Sequence, residues 1–108
     1  IKELSTKPDP ERILIDVREP TEFTSGHIPR ALNLPITSSP DFLFLPPAEF
    51  ADRFGMPKPQ ETQELVFYCK AGVRSKAAAE MARRAGYGRV GEYKGSWVDW
   101  VGKGGERA

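Results

Sequence analysis

Apolar residues come in short blocks along the chain, and the blocks differ in period. Ile13-Leu14-Ile15 running into Asp16-Val17, Ala31-Leu32-Asn33-Leu34, and Leu65-Val66-Phe67-Tyr68 ending at Cys69 are nearly continuous, with a weaker run from Val90 to Tyr93. Such runs predict strands buried on both faces, as in a parallel sheet covered by helices. Between them the period lengthens. From Arg74 to Ala85, Val73, Ala77, Met81 and Ala85 recur at four-residue steps beside Ala78 and Ala82, while Lys76, Glu80, Arg83 and Arg84 fall away from them. This predicts a helix whose alanine face approaches the sheet closely and which stops at Gly86. Pro46-Pro47, then Phe50 and Phe54 four apart, then Gly55 predict a second, shorter helix. Strands alternating with helices define an α/β domain with a mainly parallel central sheet.

The turn-forming residues divide the chain unevenly. All ten prolines lie at or before Pro59, and eight of the ten glycines lie at or after Gly72. Six prolines between Pro35 and Pro59 mark an insertion, read as a long surface excursion around the short helix. The 108 residues form one domain, 1–108, of a size that sustains its own core. Sixteen basic against fifteen acidic residues leave a formal charge of +1, with no basic stretch of the kind that binds nucleic acid or an anionic membrane. No apolar run approaches the ~20 residues needed to cross a bilayer. Cys69 is the only cysteine, which excludes an internal disulfide and any paired-cysteine metal or redox motif. Neither a metal nor a cofactor is expected.

That cysteine falls where a site is expected, at the carboxyl end of a strand and just before a helix. Lys70-Ala71-Gly72-Val73-Arg74 connect the two. Amides in so short a turn converge on one point and the helix dipole adds partial positive charge, so the turn makes an anion cradle around the sulfur. Lys70 and Arg74 flank it with full charges, favouring thiolate over thiol, and Gly72 allows a left-handed backbone. A lone cysteine ending an apolar strand is more commonly a small core residue. Two basic residues beside an inert core thiol would be poorly solvated, and they favour the anion reading.

Three segments then carry a resemblance. Asp16-Val17-Arg18-Glu19-Pro20 with Glu22-Phe23, Gly26-His27-Ile28-Pro29, Ala31, Asn33 and Pro35 resembles the N-terminal signature of rhodanese domains. The Cys69 to Arg74 loop, and Tyr93-Lys94-Gly95-Ser96-Trp97 with Trp100, are similar to that family's other two segments, in the same order. The resemblance spans about Ile13 to Gly102 and is nearest to single-domain, thiosulfate sulfurtransferase-like members. Phe50-Ala-Asp-Arg-Phe-Gly55 within the Pro-rich stretch resembles the fungal mitochondrial type. It implies a rhodanese-like three-layer domain, with helices on both sides of the sheet, and a mitochondrial location, with the cytoplasm as the alternative. It also implies an enzyme in which Cys69 takes the outer sulfur of thiosulfate or a persulfide, with Lys70, Ala71, Gly72, Val73 and Arg74 binding the donor. The sulfur is held as a persulfide. With no second cysteine to resolve it, the acceptor comes from outside: cyanide, glutathione or another thiol, or thioredoxin.

Two alternatives share Cys69. One is a sulfur-carrier or regulatory rhodanese module that does not turn over small donors. The other is phosphatase-like or arsenate-reductase-like chemistry, which the C-x4-R spacing disfavours, because related loops of that kind use C-x5-R and so enclose a larger anion. Ala71 and Val73 are small and apolar where other members vary. His27, the only histidine, is expected to be structural rather than a general base, Asp16 and Arg18 to hold loops near the site, and Trp97 and Trp100 to pack a short C-terminal helix. Lys103 to Ala108 reads as a fraying tail. At the other end, Ile1 in place of Met suggests a processed or trimmed chain. Ile1 to Leu4 reads as the inside of a helix ended by Pro8 and Pro10, with the family's first strand missing and a sheet edge left open.

Overall fold

The computed structural model describes residues 11–108, so the reading of Ile1 to Pro10 lies outside the described residues. Four strands, β1 (Arg12–Asp16), β2 (Leu32–Asn33), β3 (Glu64–Tyr68) and β4 (Arg89–Glu92), form one sheet in the order β2-β1-β3-β4. Every pairing is parallel, with Ile15 opposite Leu32, Leu14 opposite Val66, and Val66 opposite Gly91. The helices are α1 (Pro20–Ser25), α2 (Pro47–Phe54), α3 (Val73–Arg84) and α4 (Ser96–Gly102), with a 3-10 turn at Phe42–Phe44.

Continuous apolar strands require cover on both faces, and the core is accordingly split in two. On one face Ile15, Leu65, Phe67 and Cys69 pack against Ala78, Ala79 and Ala82 of α3 and Phe50 of α2. On the other, Leu14, Val66 and Tyr68 meet Ile28 and Trp100, with Phe23 of α1 and Trp97 of α4 against them. The strands therefore alternate between two cores, and the three-layer α/β arrangement follows.

Two expectations need correction. The helix stripe is rotated: Val73 is 81% exposed and Ala77 is exposed, while Ser75, Ala78, Ala79 and Ala82 are buried. A 3.6-residue period fits either set, and close packing on β3 selects the one with the smallest side chains. The Pro-rich stretch is more than a surface excursion. Phe42, Leu43, Leu45 and Phe50 are all in the core, so the segment covers a sheet face as much as it loops across the surface.

The first helix, unanticipated from the pattern, begins with Pro20 in its first turn, where the missing amide costs nothing. The Glu19 amide donates to Glu22 Oε1 at 3.1 Å, which anchors the Glu22 carboxylate at the helix start. Gly55 and Gly86, at φ 70° and 102°, end α2 and α3 in the left-handed conformation, as the pattern predicted.

Candidate active site around Cys69

The end of β3 delivers Cys69 into the turn before α3, and the thiol is almost wholly covered, with the residue 1% exposed. Its Sγ is met by two amide donors on the short loop itself, Gly72 at 3.0 Å and Ser75 at 3.4 Å, and the thiol faces Ser75 Oγ at 3.6 Å, a hydroxyl that also donates to the Gly72 carbonyl at 3.1 Å. Gly72 makes this curl possible. Its φ is 101°, and a Cβ there would lie 2.6 Å from the Lys94 carbonyl oxygen, so neither the conformation nor the space admits a side chain.

A second segment braces the loop from behind. The Trp97 amide donates to the Cys69 carbonyl at 2.9 Å, the Val98 amide to the Lys70 carbonyl at 3.0 Å, and the Cys69 amide to Ser96 Oγ at 3.1 Å. Ser96 is itself in the left-handed region, at φ 58°, and is fully buried with its hydroxyl donating to the Tyr93 carbonyl at 2.8 Å. A non-glycine residue held there stores strain that these hydrogen bonds offset. Ser96 Oγ stands 4.0 Å from Sγ.

Burial pushes the Cys69 thiol up. The Ser75 amide and hydroxyl, with the amides of Gly72 and Ala71, together outweigh it, and the thiol lies below its ordinary value. Hydrogen bonds lead that stabilisation, and the Arg74 guanidinium adds a smaller coulombic attraction. Lys70 is exposed, and Arg74 is committed elsewhere. Its guanidinium makes a two-pronged contact with Glu22, Nη1 to Oε1 at 2.8 Å and Nη2 to Oε2 at 3.1 Å. The Arg74 hydrogen bonds hold Glu22 down at about 2 against partial burial, so the carboxylate stays ionised at any working pH. Arg74, expected as a full charge flanking the sulfur, arrives with its counter-charge attached.

Of the loop residues singled out from the sequence, Gly72 and Ala71 present amides to the sulfur, Val73 points its side chain to solvent, and Lys70 lies on the rim. Sequence reasoning missed Ser75, Ser96 and Glu22 as site residues. A hydroxyl inside the alanine face of α3, six residues after the cysteine, was the available signal for Ser75. Nothing local marks Glu22 as the partner of a residue 52 positions away.

Nearby groups are scaffold. Asp16 and Arg18, 0% and 3% exposed, are joined by Arg18 Nη2 to Asp16 Oδ2 at 2.7 Å, and Arg18 Nη2 also donates to the Gly26 carbonyl at 2.7 Å. The Arg18 guanidinium lies over the Trp97 ring, 4.8 Å from its centroid. His27 stacks on Phe23 at 3.7 Å and places Nδ1 2.9 Å from the Phe23 carbonyl oxygen, a packing role. Residues after Lys103 do not fray: the Ala108 amide donates to the His27 carbonyl at 2.9 Å, and Trp100 Nε1 donates to the Glu106 carbonyl at 2.6 Å. The glycines at 104 and 105 let the tail fold back onto Trp100.

The donor set makes a specific prediction. A hydrogen bond to a charged group is worth about 1.5–3 kcal/mol, so Ser75→Ala should slow thiolate-dependent reactions of Cys69 by tenfold or more near neutral pH. Iodoacetamide alkylation across pH should show its midpoint moved upward, towards the ordinary thiol range. An unmoved midpoint would remove the Ser75 hydroxyl from thiolate stabilisation.

Comparison with known proteins places the chain in a family. The thiosulfate:glutathione sulfurtransferase of Saccharomyces cerevisiae is 43% identical over 107 residues, covering 99% of this chain and 77% of that protein. The mitochondrial thiosulfate sulfurtransferase RDL2 of the same yeast is 42% identical over 105 residues, covering 97% and 70%. The crystal structure of the yeast single-domain sulfurtransferase RDL2 superimposes with a TM-score of 0.91 at 42% identity, covering 95% of this chain and 84% of that one. Residues 1–103 match the Rhodanese-like domain pattern, and the chain belongs to the rhodanese family.

Proposed function

We propose that this chain is a single-domain sulfurtransferase that moves sulfane sulfur from thiosulfate to a thiol through a persulfide on Cys69. Sulfur transfer is the family's chemistry, and yeast relatives named for thiosulfate and glutathione support the donor and the acceptor. The observation that carries the Cys69 role is the convergence of the Gly72 and Ser75 amides on a buried Sγ.

The cycle balances with one nucleophile. The Cys69 thiolate attacks the outer sulfur of thiosulfate, an S–S bond forms, the bond from that sulfur to the sulfonate breaks, and sulfite leaves with the electron pair. The acceptor thiolate then attacks the bound sulfur and Sγ recovers its electron pair, leaving the acceptor as a persulfide. Cyanide completes the same step as thiocyanate, and a protein thiol such as thioredoxin is a further acceptor. Preorganised amide donors stabilise the anionic sulfur in both half-reactions without reorganising. Lys70 and the Arg74–Glu22 pair orient the incoming dianion at the mouth of the loop. A cradle whose amides already reach the sulfur suits a single added atom better than a whole phosphate group. A mitochondrial location follows the relatives that carry that word in their names.

Intact mass before and after incubation with thiosulfate is the test. One added sulfur atom, discharged by glutathione, is expected. No added sulfur on a folded protein would favour the carrier reading, with Cys69 loaded by another protein.

A further inference from the structure

The loop presents two different surfaces. Inward, amides and the Ser75 hydroxyl surround Sγ; outward, four exposed residues stand on the two segments that enclose it. Val73 is 81% exposed and Val98 54%, and Lys70 and Lys94 are both exposed. They come from two segments that the fold holds in contact. Lys94 lies against Gly72 so closely that a Cβ on the glycine would be 2.6 Å from the Lys94 carbonyl oxygen, and the Gly72 amide is itself 3.0 Å from Sγ. Val98 is tied to Lys70 by its amide, at 3.0 Å from the Lys70 carbonyl oxygen.

Charge there is unbalanced. Neither Lys70 nor Lys94 makes an ion pair among the described residues, whereas two nearby acids, Glu22 and Asp99, are occupied. Glu22 is bound by Arg74, and Asp99 takes the Tyr93 hydroxyl and Lys103 Nζ, the latter at 3.1 Å. The two segments around the site therefore carry two exposed lysines without an ion pair among the described residues and two exposed valines. That is too small an apolar area for a stable protein interface. It suits a small thiol bearing carboxylates and a short aliphatic backbone.

We propose that Lys94, with Lys70, Val73 and Val98, forms the docking site for an anionic low-molecular-weight thiol acceptor of the glutathione type. The assignment rests on the sulfurtransferase reading and adds the residues that choose the acceptor. Two anions must meet in the second half-reaction, a thiolate with carboxylates and a persulfide. The lysines offset that repulsion at the point of approach, while the amides around Sγ hold the leaving sulfur. Lys94 stands outside the Cys69 to Arg74 loop, so its side chain serves the approaching acceptor rather than the nucleophile.

The test separates the half-reactions. Cys69 is loaded with thiosulfate, excess donor is removed, and discharge is followed by stopped flow with glutathione or with 2-mercaptoethanol, which has no carboxylate. Lys94→Ala should slow discharge to glutathione about three- to tenfold, Lys94→Glu should slow it further, and Lys94→Arg should retain it. With 2-mercaptoethanol the variants should match the parent, and added salt should erase the difference with glutathione. Equal rates with glutathione across the series overturn the proposal. So does an equal loss with both thiols, which would mean that Lys94 only supports the loop through Gly72. If thiosulfate does not load the parent chain, the donor reading fails separately; Cys69 is then loaded with inorganic polysulfide and the same comparison decides the docking site.

Discussion

Cys69→Ser should abolish sulfur loading, with no mass gain on incubation with thiosulfate and no release of sulfite above the uncatalysed rate. The environment that favours a thiolate does not rescue a hydroxyl. Four hydrogen-bonding groups offset the burial of a sulfur anion, but an alkoxide in the same cradle would start from a far higher pKa, and an oxygen cannot store sulfane sulfur. The volume change is small and the serine has donors around it, so the fold should survive, with an unfolding midpoint near that of the parent. Residual loading in the variant would place the carried sulfur on some other group. Since the chain has no other cysteine, that result would end the persulfide mechanism.

Arg18→Ala should be the more damaging change to stability. Asp16 is 0% exposed, and its carboxylate takes the Arg18 amide at 2.9 Å and the Arg18 side chain at 2.7 and 3.0 Å. Removing the guanidinium leaves a buried, uncompensated charge, with an expected cost of about 3–5 kcal/mol. That is a large part of the about 5–15 kcal/mol of a typical domain. It also frees the Gly26 carbonyl and uncovers the Trp97 ring, and Trp97 lies on the segment that braces the Cys69 loop. Urea denaturation should show a much lower midpoint, and sulfur loading should fall as the loop loses its backing. Removing both charges, as Asp16→Leu with Arg18→Met, should recover part of the stability. A double variant no better than Arg18→Ala would mean that the pair contributes through its hydrogen bonds to the loops rather than by mutual neutralisation.

The two variants act at different levels of one construction. Cys69 is the proposed nucleophile, while Asp16 and Arg18 keep the carboxyl ends of β1 and β3 and the Gly26 turn in register beneath it. Asn33 joins them, its side chain donating to the Asp16 and Arg18 carbonyls at 3.1 and 2.9 Å. Polar groups buried at the strand ends are all satisfied locally, as low-dielectric surroundings demand. The same economy applies to Arg74. A cation left free beside a thiolate would bind any anion, whereas one already bridged to Glu22 exchanges partners only for a ligand that competes.

Much of this was legible along the chain because it depends on neighbours in sequence. Near-continuous apolar runs at 13–15 and 65–68 require burial on both faces, which gave the strands and the three layers. A cysteine at the end of the second of those runs, a glycine three residues later and a helix after it were enough to locate the cradle. The two glycines that end α2 and α3 lie where the apolar period stops. Each of these inferences uses spacings of a few residues, over which backbone geometry is nearly determined.

What required the tertiary structure was every choice among distant partners. The period of α3 was compatible with Val73 and Ala77 inward or with Ser75 and Ala79 inward; only packing against β3 decided, and it turned a hydroxyl towards the sulfur. Arg74 was legible as a cation but not as half of a pair with Glu22, 52 residues earlier, nor was Ser96, 27 residues after Cys69, legible as the acceptor of its amide. The tail after Lys103 has the composition of a frayed end, yet folds onto Trp100 and His27. Local sequence determines which groups a segment can offer, because dihedral preferences and side-chain period act over a turn or two. Which of those groups meet depends on how sheet and helices close over one another, and that closure decided what surrounds Cys69.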